Sequence, residues 1–311
     1  TIEITETGQE LTLDGVKIEF QLTPESEAPA EMHFFFPEYK ALCMAENCSG
    51  TMHNILTLRG ALVRDSLQWS KYIDEALERW GDSANLVFAS HGWPHWGKDA
   101  VRGYLTRQRD LYRWLHDQAM RLANLGYTPN EIAAEVTLPP GLWDDFMCHG
   151  YYGTVSHNVR AVYQRYIGFY DGHPSSLDPH TPVEVGKRYV DFMGGIEDLL
   201  EKAKKAFKEG DYKWVAEVLR HAVFANPENE AVRLLQADAF EQLAYQAESG
   251  PWRDIYLTGA QELRNGSINV PILQRPRLEV AKGMTLGQIF DFLAVKVNGN
   301  AAVKLSPMTI N

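Results

Sequence analysis

The sequence predicts an α/β unit followed by an all-α region and the start of a second α/β unit. Three observations carry this. Up to about residue 130, short runs of strand length alternate with longer runs whose apolar residues recur at helical spacing. Residues 183–266 are patterned as helix almost throughout. A proline-bounded linker, residues 271–276, then leads into one more amphipathic stretch.

Taken in order, residues 2–5, 9–13 and 16–22 alternate like strands around Gly8 and the turn pair Asp14 and Gly15. Residues 23–29 are a loop, and residues 32–36 form an aromatic strand stopped by Pro37. Residues 41–45, Ala-Leu-Cys-Met-Ala, have the length and composition of a buried strand. A helix starts near Ser66, with Leu67, Tyr72, Ile73, Leu77 and Trp80 at helical spacing and Gly81 closing it. Residues 85–90 form another strand, ended by His91-Gly-Trp-Pro. Residues 98–124 form a long amphipathic helix with Tyr104, Leu111, Leu115 and Leu122 on one face. Thr128, Pro129 and Glu131 fit the N-cap, N1 and N3 positions of a capping box.

After Leu138-Pro-Pro-Gly the character changes. Residues 143–180 form a polar, aromatic segment carrying Cys148, His149, Tyr151, Tyr152, His157 and His173. Residues 207–214, 225–229 and 234–247 follow a helix–turn–helix rhythm like one tetratricopeptide unit. Residues 284–294 form a further helix, and Asn298-Gly299 turns the chain into a last predicted strand, residues 302–310.

Composition narrows the class. The 311 residues, 45% hydrophobic, suffice for two domains with a sizeable core. A net charge of −11 argues against a general nucleic-acid binder, which needs a basic face. Cys43, Cys48 and Cys148 make neither a disulfide framework nor a Cys-x-x-Cys metal site. No apolar run approaches transmembrane length. The chain opens at Thr1 and closes inside a predicted strand, so it reads as a fragment.

The chemically interesting side chains follow strand ends. Glu46 ends the apolar 41–45 run, where a carboxylate is costly unless a cation or donors meet it. Asn54, Thr57, Arg59 and Arg64 follow, side chains suited to gripping an oxyanion. Glu27, Glu46 and His91 are candidate metal ligands, since carboxylate and imidazole are standard zinc donors. Plainer readings stand beside these. Glu27 could be an exposed loop glutamate, His91 a turn residue and His53 a solvent-facing loop residue. Arg59 and Arg64 could be surface arginines paired with Asp65 or Glu75, and Tyr152 a packing residue.

Residues 44–65, Met-Ala-Glu-Asn-Cys-Ser-Gly-Thr-Met-His-Asn-Ile-Leu-Thr-Leu-Arg-Gly-Ala-Leu-Val-Arg-Asp, closely resemble the alkyl sulfatases of the metallo-β-lactamase superfamily. Residues 22–33 and 90–94 fit the same family. The resemblance implies that residues 1–140 are the second half of an αββα metallo-β-lactamase-like domain. Residues 141–270 would be a helical dimerisation domain, and 271–311 a linker and the start of a sterol-carrier-protein-like domain. It further implies a centre of two zinc ions that activates water. Glu27 would bind one ion, Glu46 would bridge both, and His91 would bind the other. Asn54, Thr57, Arg59 and Arg64 would hold the sulfate, with Tyr152 reaching it from the next domain. The catalytic residues would be Glu46, Arg59 and Arg64. Trp93, Phe146 and Tyr151 are candidates for lining an alkyl-chain cleft. The implied activity is hydrolysis of alkyl sulfate esters by a homodimer, and the implied location is periplasmic or secreted. The family's His-x-His-x-Asp-His motif is absent from the ten histidines here, so this chain carries part of the ligand set. Another hydrolase of the superfamily, a phosphodiesterase or lactonase, and a non-catalytic helical scaffold are the alternatives.

Overall fold

Asp14 and Gly15 close a two-residue hairpin between β1 (Glu10–Leu13) and β2 (Val16–Leu22). Their φ angles, 49° and 85°, give the turn the hand that matches strand twist, and Asp and Gly tolerate it best. β3 (Met32–Phe36), β4 (Ala41–Cys43), β5 (Leu86–Phe88) and β6 (His95–Trp96) complete a six-stranded sheet in sequential order. Neighbours are antiparallel except β4 and β5, which are parallel. Since β2 and β4 both oppose β3, strands β2, β4 and β5 share one direction. Their C-terminal ends therefore lie along one edge, the usual place for a site in an open α/β sheet.

The computed structural model describes residues 2–267 and 278–305. It divides into one unit ending at Asn265 and a second beginning at Gly266. In the first, α1 (Ser66–Trp80) joins β4 to β5, and α2 (Lys98–Asn124) follows β6. α3 (Pro129–Glu135) carries the expected capping box. α4 (Pro140–Trp143) and α5 (Val155–Tyr166) come next. Five longer helices follow: α6 (Pro182–Phe192), α7 (Ile196–Lys208), α8 (Tyr212–Ala225), α9 (Glu230–Gln246) and α10 (Gly250–Asn265). The described part of the second unit is helical: α11 (Leu278–Lys282), α12 (Leu286–Ala294) and α13 (Gly299–Ala302).

Strand periodicity sorts the sheet's two faces. Phe35, Leu42 and Val87 form one cross-strand row and are buried, with Trp80 of α1 stacked on Phe35 at 5.6 Å. Trp69, Ile73, Leu105, Leu111, Tyr112 and Leu115 continue this core, which α5 joins through Val159 and Val162. On the opposite face Phe20, Phe34, Phe36 and Phe88 touch ring to ring, and the last three stay partly exposed. A separate core, built on Val190, Leu199, Val215, Leu219 and Val232, holds α6 to α9 together. Gly186 permits the closest approach there: a Cβ would stand 2.6 Å from the His221 carbonyl oxygen of α8.

Several predicted elements differ. Residues 2–5 form no strand, having no partner strand beyond β1 among the described residues. Instead the Gln9 side chain accepts from Thr5 N–H and donates to the Glu3 carbonyl. β4 stops at Cys43, and the two-residue β6 was not expected. α5 lies inside the polar, aromatic segment to which the sequence assigns no element, begun by Thr154, which accepts from His157 N–H. Asn298 caps a short helix rather than opening a strand, since its side chain accepts from Ala301 N–H. Residues 303–305 therefore turn, while residues 306–310 of that predicted strand and the linker 271–276 lie outside the described residues.

Fully buried His33 of β3 ties the sheet edge together. Its Nδ1 lies 3.0 Å from Gln21 Oε1 and its Nε2 2.7 Å from Asn47 Nδ2. Asn47 donates, so Nε2 is the acceptor and Nδ1–H the donor. Burial drives this imidazole's pKa down from 6.5 to about 3. Between those values the unfolded chain takes up a proton that the folded state does not. Stability should therefore be full above pH 6.5 and fall with decreasing pH by about 1.4 kcal/mol per unit on this account. Urea unfolding at several pH values should show this slope in the parent chain, and His33→Gln should flatten it by about one proton.

Candidate active site

Glu46 leaves the sheet on a strained turn. Ala45 has φ 49°, a left-handed conformation costing a β-carbon residue roughly 1–2 kcal/mol. The turn is held by Ser90 N–H, 2.8 Å from the Ala45 carbonyl, and by Glu46 N–H, 3.0 Å from Glu31 Oε1. It brings together groups from the C-terminal ends of three parallel-running strands. Glu27 comes from the loop after β2, Glu46 from beyond β4 and His91 from beyond β5. Glu46 Oε1 lies 3.1 Å from His91 Nε2, and its Oε2 lies 3.3 Å from His53 Nε2. Ligand atoms of Glu27, Glu46 and His53 lie within 4.8 Å of one another. Gly92 keeps His91 close: a Cβ there would meet the Ser49 carbonyl oxygen at 2.7 Å.

Electrostatics mark this cluster. Burial pushes the Glu31 carboxyl up to about 7, opposed by the Glu46 N–H bond and reinforced by the charges of Glu27 and Glu46. Burial also lowers the pKa of His53, which is 3% exposed. Arg64 is the compensating cation. It pairs with the Glu27 carboxylate through Nη2, donates from Nε to the Glu27 carbonyl at 2.6 Å, and donates from Nη1 to the Asn54 carbonyl at 2.9 Å.

Asn54, Thr57, Arg59 and Tyr152 line one cavity of about 350 Å³, together with His157 and Trp252. Thr57 Oγ1 is buried with no hydrogen-bond partner among the described residues. Arg59 is exposed at the mouth and forms no ion pair among them. Arg64 does not line this cavity and meets it through Asn54, whose carbonyl oxygen and Oδ1 both accept from its Nη1. Asp65 and Glu75, offered above as partners for these arginines, are paired instead with Arg165 and Arg79. A second cavity of about 450 Å³ is lined by His53, His91, Trp93, Phe146 and Met147, and Tyr152 borders both. Tyr151 does not line either, but its ring packs 5.0 Å from that of Phe146.

Three residues of the site are not marked by the sequence. His53, for which a solvent-facing loop position is the plainer alternative, is buried, its ring 4.8 Å from that of Tyr152 and 5.6 Å from that of Trp69. Glu31 carries no mark of its own in the sequence. Asn158 of α5 brackets the loop from 103 to 105 residues away, accepting from Ile55 N–H and donating to the His53 carbonyl, both at 2.9 Å. No local pattern marks Asn158. For His53 the signal was its place, seven residues after Glu46.

Residues 128–266 match the alkyl sulfatase dimerisation family. A linear primary-alkylsulfatase from Pseudomonas sp. is 50% identical over 95% of this chain and 44% of its own length. An (R)-specific secondary-alkylsulfatase from Pseudomonas sp. is 49% identical over 96% of this chain and 45% of its own length. The solved structure of a double mutant of the sec-alkyl sulfatase PisA1 superposes with a TM-score of 0.94 at 46% identity, covering 97% of this chain and 48% of that one. Residues 128–266 are thus similar to the alkyl sulfatase dimerisation family, and nearly the whole chain is similar to part of these alkylsulfatases. It spans under half the length of these alkylsulfatase relatives. Among the described residues no helix is long and apolar enough to cross a membrane.

Gly153 docks the Tyr152 segment onto the loop. Its N–H donates to the Met52 carbonyl at 2.8 Å, and a Cβ would stand 2.5 Å from the His53 carbonyl oxygen. Backbone lies on that side, so nothing can rotate away. Gly153→Ala should lose about 1–3 kcal/mol in urea unfolding, the cost of overpacking. An unchanged midpoint would show that this approach is looser than described.

Proposed function

We propose that the full-length protein hydrolyses alkyl sulfate esters, such as dodecyl sulfate, to an alcohol and inorganic sulfate at a centre of two zinc ions. The observation that carries this reading is one juxtaposition. A cluster of carboxylates and imidazoles adjoins a cavity lined by an arginine, an asparagine and an unpartnered threonine hydroxyl, and an apolar cavity opens on the other side of Tyr152. An alkyl sulfate has the matching parts: an anionic head and an apolar chain.

The residues fit the metal. Glu27, Glu46 and His91 offer oxygen and nitrogen donors of the kind zinc takes. Both oxygens of Glu46 face imidazoles on different sides, which suits a bridging carboxylate. Three clustered carboxylates, one of them lifted to about 7, leave negative charge that Arg64 alone does not offset. The remaining ligands come from residues outside this chain. Bound zinc supplies Lewis-acid activation of water.

The chain's own groups bind and orient. Arg59 attracts the sulfate, and Thr57 and Asn54 hydrogen-bond its oxygens in a site where donors are already in place. Arg64 fixes Asn54 while holding Glu27. Tyr152 closes the head-group cavity against the apolar one, where Trp93, Phe146 and Met147 receive the chain. Hydrolysis adds the elements of water across the ester, giving the alcohol and inorganic sulfate. In domain terms, residues 1–140 supply part of the metal's ligand set and most of the anion site, residues 141–270 add Tyr152 and the dimer, and residues 271–311 begin a further domain.

The full-length enzyme should cleave dodecyl sulfate and leave phosphodiesters and lactones largely untouched. Zinc, measured by plasma mass spectrometry, should be present, and its removal with chelator should abolish turnover. Arg59→Ala should lower kcat/KM by about 10²–10³-fold, the typical loss for one oxyanion donor. A preference for phosphodiesters or lactones would point to another hydrolase. Zinc-free protein whose activity is untouched by Glu46→Ala would sink the metal reading.

Residues 128–266 match a dimerisation family, and helices α6, α8 and α9 expose Phe192, Trp214, Phe224 and Tyr245. A homodimer covers such surfaces. Light scattering coupled to size exclusion should report twice the chain mass, and a monomer at micromolar concentration would count against it.

A further inference from the structure

We infer that His53 is a positioning residue, one imidazole that sets the carboxylate of Glu46 and the guanidinium of Arg64 at the same time. This inference rests on the proposed metal and anion site but adds a residue that the ligand set leaves out.

The ring is fixed from every side. It is 3% exposed, packed between Trp69 and Tyr152. Its backbone N–H donates to the Tyr112 hydroxyl at 3.1 Å, and its carbonyl accepts from Asn158. Nε2 faces Glu46 Oε2 at 3.3 Å, while Nδ1 faces both Arg64 Nη1 at 3.3 Å and the Asn54 carbonyl at 3.0 Å.

A neutral imidazole has one N–H and one lone pair, so these contacts can be met in only two ways. With the proton on Nδ1, the Asn54 carbonyl gains a donor. The Nε2 lone pair then faces the Glu46 carboxylate with no hydrogen between them, and Nδ1–H opposes the Arg64 donor. With the proton on Nε2, His53 donates to Glu46, and Nδ1 accepts from Arg64. The Asn54 carbonyl keeps Arg64 Nη1 as its donor at 2.9 Å. The second arrangement sets the Nδ1 lone pair 3.0 Å from the Asn54 carbonyl oxygen, but one of the two Arg64 Nη1 hydrogens is shared between those two acceptors while the other goes to Asn54 Oδ1. The first opposes a lone pair to a carboxylate and an N–H to a guanidinium, with nothing between either pair, so the geometry assigns the Nε2–H tautomer. A cation, a ring and a carboxylate then form one chain, Arg64 to His53 to Glu46. Through it, the orientation of the carboxylate offered to metal depends on the residue that fixes Asn54.

Outer-shell hydrogen bonds of this kind orient metal-ligating carboxylates, and losing one typically costs about 10–100-fold in metal affinity. Glutamine places its amide nitrogen where His Nε2 sits, and asparagine where Nδ1 sits, so the pair separates the two contacts. In the full-length protein, chromophoric-chelator competition should show zinc affinity about 10–100-fold weaker for His53→Asn and His53→Leu. Zinc per chain at saturation should be unchanged, and His53→Gln should stay near the parent. Loss of bound zinc in His53→Gln as well would make His53 a ligand and overturn the positioning role. Lower melting temperatures in all three variants with unaltered zinc affinity would reduce it to packing and overturn it too. A second measurement is independent of metal: ¹⁵N NMR of the metal-free protein should show His53 as the Nε2–H tautomer, with its signals moved by Glu46→Gln. The Nδ1–H tautomer would overturn the inference even if zinc and sulfatase activity are found. Absence of zinc with an Nε2–H ring would sink the proposed function and leave the His53–Glu46 bond standing.

Discussion

A buried loop without secondary structure must find a partner for each of its backbone polar groups, and this constraint shapes the site. Residues 46–57 have no ladder or helix to satisfy them, so side chains from the helices do it. Tyr104 accepts from Gly50 N–H and Tyr112 from His53 N–H, while Trp69 donates to the Asn47 carbonyl. Asn158 serves Ile55 and His53, and His157 Nε2 lies 2.7 Å from the Leu56 carbonyl. Each of these groups is a polar tip on a largely buried side chain, which explains why α1, α2 and α5 bury tyrosine, tryptophan and asparagine beneath the site.

That scaffolding makes the loop rigid where rigidity matters. A carboxylate such as Glu46 can hold a metal only if its rotamer is fixed, and an anion pocket works by having its donors in place beforehand. The same helices that bury apolar surface thereby fix the direction of Glu46, Asn54 and Tyr152. The strained Ala45, the close approach of Gly92 to Ser49 and that of Gly153 to His53 are three backbone devices serving one purpose. They press segments distant in sequence into contact around a single point.

The location of the site follows from strand direction. With β2, β4 and β5 running the same way, three loops far apart in sequence end at one edge. No individual residue decides this, because it depends on the order and sense of six strands. The half-exposed phenylalanines on the sheet's other face fit the αββα expectation, in which a second sheet covers that side.

Local chemistry was written in the sequence. The Asp14–Gly15 hairpin, the helices begun at Ser66 and Lys98 and the Thr128 capping box follow from turn, spacing and cap rules that act within a few residues. Glu46 stood out because an apolar strand ended in a charge, and the 44–65 run carried the family resemblance. What the sequence left undecided were the long-range pairings. Residues 2–5 look like a strand but have no neighbour, and Asn298 looked like a turn but caps a helix. His53 looked exposed, yet Trp69, Tyr152 and Tyr112 bury it. Asn158 stands out by no local pattern until folding sets it against His53 and Ile55. Periodicity and capping are properties of a short stretch, whereas burial and hydrogen-bond partnership belong to segments a hundred residues apart, and only the tertiary structure brings those together.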